Sequence, residues 1–230
     1  MHAQSFVKEL EGRIAKYDLL CHPFYQAWSA GKLTGEDLRD YSAQYYHHVA
    51  AFPTYLSALH SRLPDGELRR AIVRNLADEE IEGTPHSELW LDFAEAMGNN
   101  RQQVPATSPI PEVNNLVETF RRLANNSSLA AALAAFYAYE SQVPRIAEFK
   151  EQALRKRYGA GDMACCYFAL HKTADVLHSR VWRDWLLRVV ATIPEDADEA
   201  LQAAEMGAKA LWKTLDAMEE RRTWRIESGY

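Results

Sequence analysis

The chain has 230 residues, a net charge of −6, 25% charged and 47% hydrophobic residues, the balance of a soluble globular protein with room for one large core. An acidic chain with no basic stripe is not expected to bind nucleic acid, and its longest apolar run, 11 residues from Leu129 to Tyr139, is too short to span a bilayer. Three cysteines with no framework spacing, and an N-terminus with no signal-peptide core, predict a cytoplasmic protein without disulfides.

Read in order, the chain is all helix, because no segment alternates with period two. A first helix is expected over Ser5 to Asp18 and a short second one over Pro23 to Ala30, with proline at a tolerated first turn. Thr34 begins a capping signature, with Asp37 three residues on, for a long helix to about Ser61 bent at Pro53. Gly66 to Glu82 reads as the next. Thr84 and Pro85 then cap and restart a helix that ends at Gly98. Arg101 to Pro111 is the one clear loop, taken as a connection within a single domain of residues 1–230. Asn114 to Leu123 is helical. Leu129 to Tyr158 is expected as one helix bent near Pro144. A helix with the segment His-Lys-Thr-Ala-Asp-Val-Leu-His follows, then Trp182 to Thr192 and Glu195 to Arg222. No exposed apolar helix face is legible.

The most informative residues are His171, Asp175 and His178. At i, i+4 and i+7 they share one stripe of a helix. Two imidazoles and a carboxylate on one stripe, in an apolar segment, are half of a metal site. The plainer reading is surface histidines with a salt bridge to Lys172 or Arg180.

Partners are found in two places. Glu140 is the first ionisable residue after the apolar, alanine-rich run, so it needs a cation, a proton or donors at that depth. Its ordinary alternative is a pair with Arg145. Glu79 and His86, seven apart, share a face only if the helix kinks rather than stops at Gly83 to Pro85; Glu80 and Glu82 are rivals, and the acidic run also reads as a solvated face. Three carboxylates and three imidazoles from several helices match the ligand economy of dinuclear iron or iron/manganese proteins, without the Glu-x-x-His pairs of the ferritin-like pattern. There are also 11 tyrosines, with Tyr139 beside Glu140, Tyr167 one turn before His171, and Tyr25, Tyr41 and Tyr45 in the early helices. Lys150 lies ten residues beyond Glu140.

Taken together, Asp78-Glu79-Glu80 with His86, Tyr139-Glu140 and His171-x3-Asp175-x2-His178 resemble the CADD-like proteins of the haem-oxygenase-like, TenA/PqqC-related all-helical superfamily. The resemblance covers essentially the whole chain. It implies a haem-oxygenase-like bundle with a dinuclear iron or iron/manganese centre on Glu79, His86, Glu140, His171, Asp175 and His178. It further implies a para-aminobenzoate synthase for folate synthesis that uses O2 and an external reductant. Such proteins are self-sacrificing. By position, Tyr25 would be the consumed residue and Lys150 the nitrogen donor, with Tyr41, Tyr139 and Tyr167 as radical relays or site-shaping groups. The oligomeric state stays open, a homodimer included. Competing readings are a di-iron oxygenase acting on an external small molecule and a non-enzymatic protein-binding module.

Overall fold

The computed structural model describes residues 3–228 and contains no strand among them. Among the described residues there are ten α-helices: α1 (Ala3–Ala15), α2 (Pro23–Ser29), α3 (Gly35–Ser61), α4 (Glu67–Glu80), α5 (His86–Ala96), α6 (Pro111–Asn126), α7 (Leu129–Glu140), α8 (Val143–Arg157), α9 (Asp162–Thr192) and α10 (Ala197–Ser228).

The centre of the bundle is α7. Alanine, leucine and phenylalanine occupy nearly every position from Ala130 to Ala138, and almost all are fully buried. A helix that is apolar on every side has no solvent face and must be covered. It packs mainly against α10 and α9. Small side chains let the axes approach: a Cβ added at Gly207 of α10 would lie 3.7 Å from the carbonyl oxygen of Ala135 and 3.3 Å from Phe120. Ser128 caps α7 by accepting from the Ala131 amide at 3.2 Å. One continuous core runs from Phe6 to Met218, with residues from both sides of the Arg101–Pro111 segment.

Some boundaries differ from the sequence expectation. Leu129 to Tyr158 is two helices, because Pro144 stands in the first turn of α8 and Ser141 and Gln142 lie between. Gln142 fills the junction: its amide donates to the Ala138 carbonyl at 3.1 Å and its carbonyl accepts from the Leu19 amide at 3.1 Å. Conversely, the histidine helix does not stop before Trp182; α9 runs unbroken for 31 residues. Thr34 and Asp37 form the expected capping box of α3, with Pro53 inside that helix. At the start of α5 the cap position is Pro85, not Thr84, and no side chain bonds there. Finally, α9 does expose an apolar face: Met163, Leu170 and Leu177 recur every seven residues at 60%, 37% and 63% exposure.

Candidate metal centre and the adjoining chamber

Three helical segments and one helix start bring six side chains together. Among the described residues, Glu79, His86 and His171 converge in one triad and Glu140, Asp175 and His178 in another, the ligand atoms of each lying within 4.8 Å of one another. All six are buried. The 100° turn of α9 puts His171, Asp175 and His178 on its inner stripe. Glu140 is the last residue of α7. The face argument for Glu79 and His86 fails, because α4 ends at Glu80 and Gly83 takes a φ of 84° that breaks the helix. The turn at residues 81–84 still delivers both: Glu79 Oε2 lies 2.8 Å from His86 Nδ1. Glu80 and Glu82 are exposed and outside the triads. The plainer pairings are taken elsewhere, since Arg145 bonds Asp18 and Lys172 bonds Glu151.

The donors in these triads suit a cation. His86 Nδ1, Glu140 Oε1 and His178 Nδ1 are buried and make no hydrogen bond. The 2.8 Å approach of His86 to Glu79 therefore lacks hydrogen-bond alignment. Orphaned polar atoms at this depth are costly unless something meets them. Burial, then repulsion from Asp175, pushes the Glu140 carboxyl well above its usual range. Burial opposes a charge on His178, but Asp175, Glu140 and Asp78 together raise its imidazole to about 10. Both shifts register the same demand for positive charge where the carboxylates crowd.

Neighbouring groups orient the triad side chains. His171 Nδ1–H donates to the Tyr167 carbonyl at 2.7 Å, which leaves Nε2 for a metal. His178 Nε2–H donates to Asp78 Oδ2 at 2.9 Å, leaving Nδ1 facing the triad. Trp182 Nε1–H donates to Glu140 Oε2. Burial lowers the His171 imidazole, with Asp175 opposing, so the neutral ligand form is favoured. Asp78 and Trp182 carry no role in the sequence reading. Trp182 was legible, because it continues the His171, Asp175, His178 stripe by one turn.

Beside the metal triads lies a chamber of phenols closed by a lysine. It is lined by Tyr25, Tyr45, Trp90, Tyr139, Lys150 and Tyr167, with aliphatic groups from α8. Lys150 Nζ donates to Tyr41 Oη at 2.6 Å, and Tyr25 Oη lies 3.1 Å from Tyr41 Oη. The same nitrogen stands 4.4 Å from the Tyr25 ring centroid. Burial drives the Lys150 amine well below its usual value and the phenols of Tyr25, Tyr41, Tyr45, Tyr139 and Tyr167 above theirs. Tyr41 stacks on Tyr45 with ring centroids 5.4 Å apart, Tyr45 meets Trp90 at 5.3 Å and Trp90 meets Tyr167 at 4.8 Å. Tyr167 in turn stacks on His171 with ring centroids 4.0 Å apart. Aromatic groups thus run without a gap from the lysine to a histidine of the first triad. Tyr45, absent from the predicted site set, belongs in this chain of contacts; its place one turn after Tyr41 was the available signal.

The space open to a water-sized sphere in the chamber is about 30 Å³, room for about two waters. Roomier hollows of about 560 and 700 Å³, around Arg221 and beside His47, are lined by none of the six triad residues.

The description "Iron-containing redox enzyme" matches residues 39–212. A 4-aminobenzoate synthase of Nitrosomonas europaea is 40% identical over 231 residues, covering 96% of this chain and 93% of the relative. This chain belongs to the 4-aminobenzoate synthase family of iron-containing redox enzymes. The 4-aminobenzoate synthase of Chlamydia trachomatis is 38% identical, covering 93% of this chain and 91% of the relative. In fold, a domain of unknown function with a heme oxygenase-like fold from Shewanella denitrificans superposes with a TM-score of 0.81 at 17% identity, covering 100% of this chain and 97% of that one. The expected haem-oxygenase-like, all-helical architecture is thus the observed one. Membership makes the protein a redox enzyme, and its clustered carboxylates and imidazoles fit a metal cofactor. No helix among the described residues is long and apolar enough to cross a membrane.

Proposed function

We propose that this protein makes 4-aminobenzoate from its own Tyr25, once per chain, with Lys150 as nitrogen donor. The names of its relatives support the product. The observation that carries the internal substrate is the placement of a buried lysine amine 4.4 Å from the Tyr25 ring, with Tyr41 between the two polar ends.

In this reading Glu79, His86 and His171 hold one metal and Glu140, Asp175 and His178 the other, as iron or an iron/manganese pair. With O2 and an external reductant, the bound metals supply the oxidising power that cleavage of a Cα–Cβ bond requires. The chain's own groups do the rest. Burial keeps the Lys150 amine toward its neutral, nucleophilic form. Tyr41 accepts from that amine and holds it toward the Tyr25 phenol carbon, where the C–N bond forms as the C–O bond breaks and the oxygen leaves as water; oxidation of Lys150 Cε to an aldehyde at the expense of O2 then breaks the Cε–Nζ bond and leaves the nitrogen on the ring. Because Tyr25 is already in place, no energy of substrate capture is needed. Tyr139, Tyr45 and Tyr167 line the path between the metals and Tyr25, and the aromatic walls exclude bulk water. The Cβ of Tyr25 becomes the carboxylate carbon of the product, which consumes oxidant; the ring is not regenerated.

An external small-molecule substrate is the second reading. Its difficulty is space: the chamber's 30 Å³ is far below the roughly 300–1,000 Å³ of ordinary ligand clefts. The deciding experiment uses protein carrying ring-labelled tyrosine, reconstituted with iron or iron plus manganese and given reductant and O2. Labelled aminobenzoate is expected at no more than one equivalent per chain, with a matching mass loss at residue 25. Tyr25→Phe is expected to keep metal and release nothing. Product well beyond one equivalent, or normal release from Tyr25→Phe, transfers the function to the external-substrate oxygenase.

A further inference from the structure

We propose that His22 and Asp216 form a positioning pair that sets the place of Tyr25 against Lys150. The inference rests on Tyr25 being the reacting residue.

The helix that carries Tyr25 cannot place itself. With seven residues, α2 is about two turns long, too short to be stable alone. It packs between α8, which carries Lys150, and α10, which carries Asp216. Tyr25 is its third residue, so the geometry of the first turn is the geometry of Tyr25.

His22 is the cap of that turn. Its Nδ1 accepts from the Phe24 amide at 3.1 Å, and its carbonyl accepts from the Gln26 amide at 3.0 Å. The other ring nitrogen, Nε2, lies 3.1 Å from Asp216 Oδ1. A carboxylate only accepts, so Nε2 carries the proton and Nδ1 keeps the lone pair that the cap needs. Asp216 therefore selects the tautomer. It is held in turn by Lys213 Nζ at 2.7 Å, and the Trp212 ring packs edge-on to the imidazole with centroids 4.6 Å apart. His22 is 1% exposed, and burial lowers its imidazole below the usual value, with Asp216 opposing. The neutral form with both nitrogens engaged is the form the packing favours.

Histidine is an unusual choice for a cap. Serine, threonine, asparagine and aspartate bond the same amide with shorter side chains. None of these carries a second, opposite-facing ring nitrogen that spans from the cap to another helix. The histidine therefore couples the entry of α2 to α10 on one side, while Tyr25 projects toward Lys150 of α8 on the other. Clamping one wall of a two-turn helix fixes the separation of its reacting ring from the donor amine. Near-attack placement is sensitive at the scale of an ångström.

His22→Ala, His22→Asn, Asp216→Ala and Asp216→Asn separate positioning from plain stability. Two quantities are read on full-length protein: hydrogen exchange at the Phe24 amide before activation, and the single-turnover rate of aminobenzoate release after metal, reductant and O2. His22→Ala is expected to lose Phe24 protection and slow release about 10- to 100-fold, with metal content unchanged. His22→Asn, whose side-chain carbonyl caps the same amide but cannot also reach Asp216, is expected to restore the protection and leave release slow. Asp216→Ala frees the tautomer and slows release, whereas Asp216→Asn keeps an acceptor and does not. Equal rates in His22→Ala and wild type overturn the proposal. So does an asparagine variant that regains both the Phe24 protection and the wild-type rate, because the cap alone then suffices without Asp216. Wild-type protein that releases no tyrosine-derived product sinks the parent reading instead. In that case retained Phe24 protection in His22→Ala also removes the positioning claim.

Discussion

Lys150 Nζ and the hydroxyl of Tyr41 are 2.6 Å apart in a site from which water is almost excluded. Lysine is seldom fully buried without a carboxylate, and here its hydrogen-bonded partner is a neutral phenol. The fold thus holds an amine under strong pressure to shed its proton, beside the ring that the proposed reaction aminates.

That pressure has a thermodynamic signature. The folded-state value of Lys150 is depressed below the usual 10.5, so below that pH the unfolded chain binds a proton that the folded chain does not. Stability contributed by this site is fully present above 10.5 and is lost as pH falls toward the folded value. Relative to Lys150→Met, wild-type stability is expected to fall by at most about 1.4 kcal/mol per pH unit over that window. Denaturant melts of both proteins between pH 6 and about 10 check the slope; parallel curves contradict a depressed amine.

The two triads predict a stoichiometry. Asp175→Ala or Glu140→Ala empties one set of three ligands, and His86→Ala or Glu79→Ala empties the other. Metal analysis of reconstituted protein is expected to fall from two equivalents toward one in each single variant, with the fold intact by circular dichroism. His171→Ala and His178→Ala add a third case on each side. Full metal content in every variant removes the six-ligand assignment.

Trp182 tests the groups behind the ligands. Its indole donates to Glu140 Oε2 inside the core. Trp182→Phe keeps most of the packing and removes the donor. Loss of such an outer partner typically weakens metal affinity about 10- to 100-fold. The expected result is a higher chelator sensitivity at the triad that holds Glu140, with the Glu79 triad unaffected. Competition with a chromophoric chelator measures both.

Much of the candidate site is legible in the sequence. The spacing of His171, Asp175 and His178 is a property of helix pitch, and helix pitch is fixed by local bonding. Glu140 stood out because an 11-residue apolar run ended on it. The shared helix face that the spacing of Glu79 and His86 suggests does not exist; a turn with a left-handed Gly83 and Pro85 at the start of α5 brings the two together instead. What stayed hidden depends on contacts distant in sequence. Tyr41 meeting Lys150 across 109 positions, or Asp78 meeting His178 across 100, leaves no periodic trace. The split of Leu129 to Tyr158 into two helices was missed for a similar reason. Whether a proline bends a helix or starts a new one is decided by what fills the junction, and here Gln142 does so through Leu19.

Tyr41 provides the last test, because it touches both reacting groups. Tyr41→Phe deletes the oxygen that accepts from Lys150 and contacts Tyr25. The buried amine then lacks an acceptor, a loss of about 1–3 kcal/mol for an unmet polar group. The aromatic cage around it, with Tyr25 and Trp28 at 4.4 and 5.2 Å, remains. Metal content and overall fold are expected to match wild type. Single-turnover release is expected to slow by an order of magnitude or more, with the mass loss still at residue 25 in whatever product forms. Normal release from Tyr41→Phe means that the hydroxyl orients nothing. A mass loss that has vanished from residue 25 of the wild type and appears at residue 41 instead makes Tyr41 the consumed ring and Tyr25 its support.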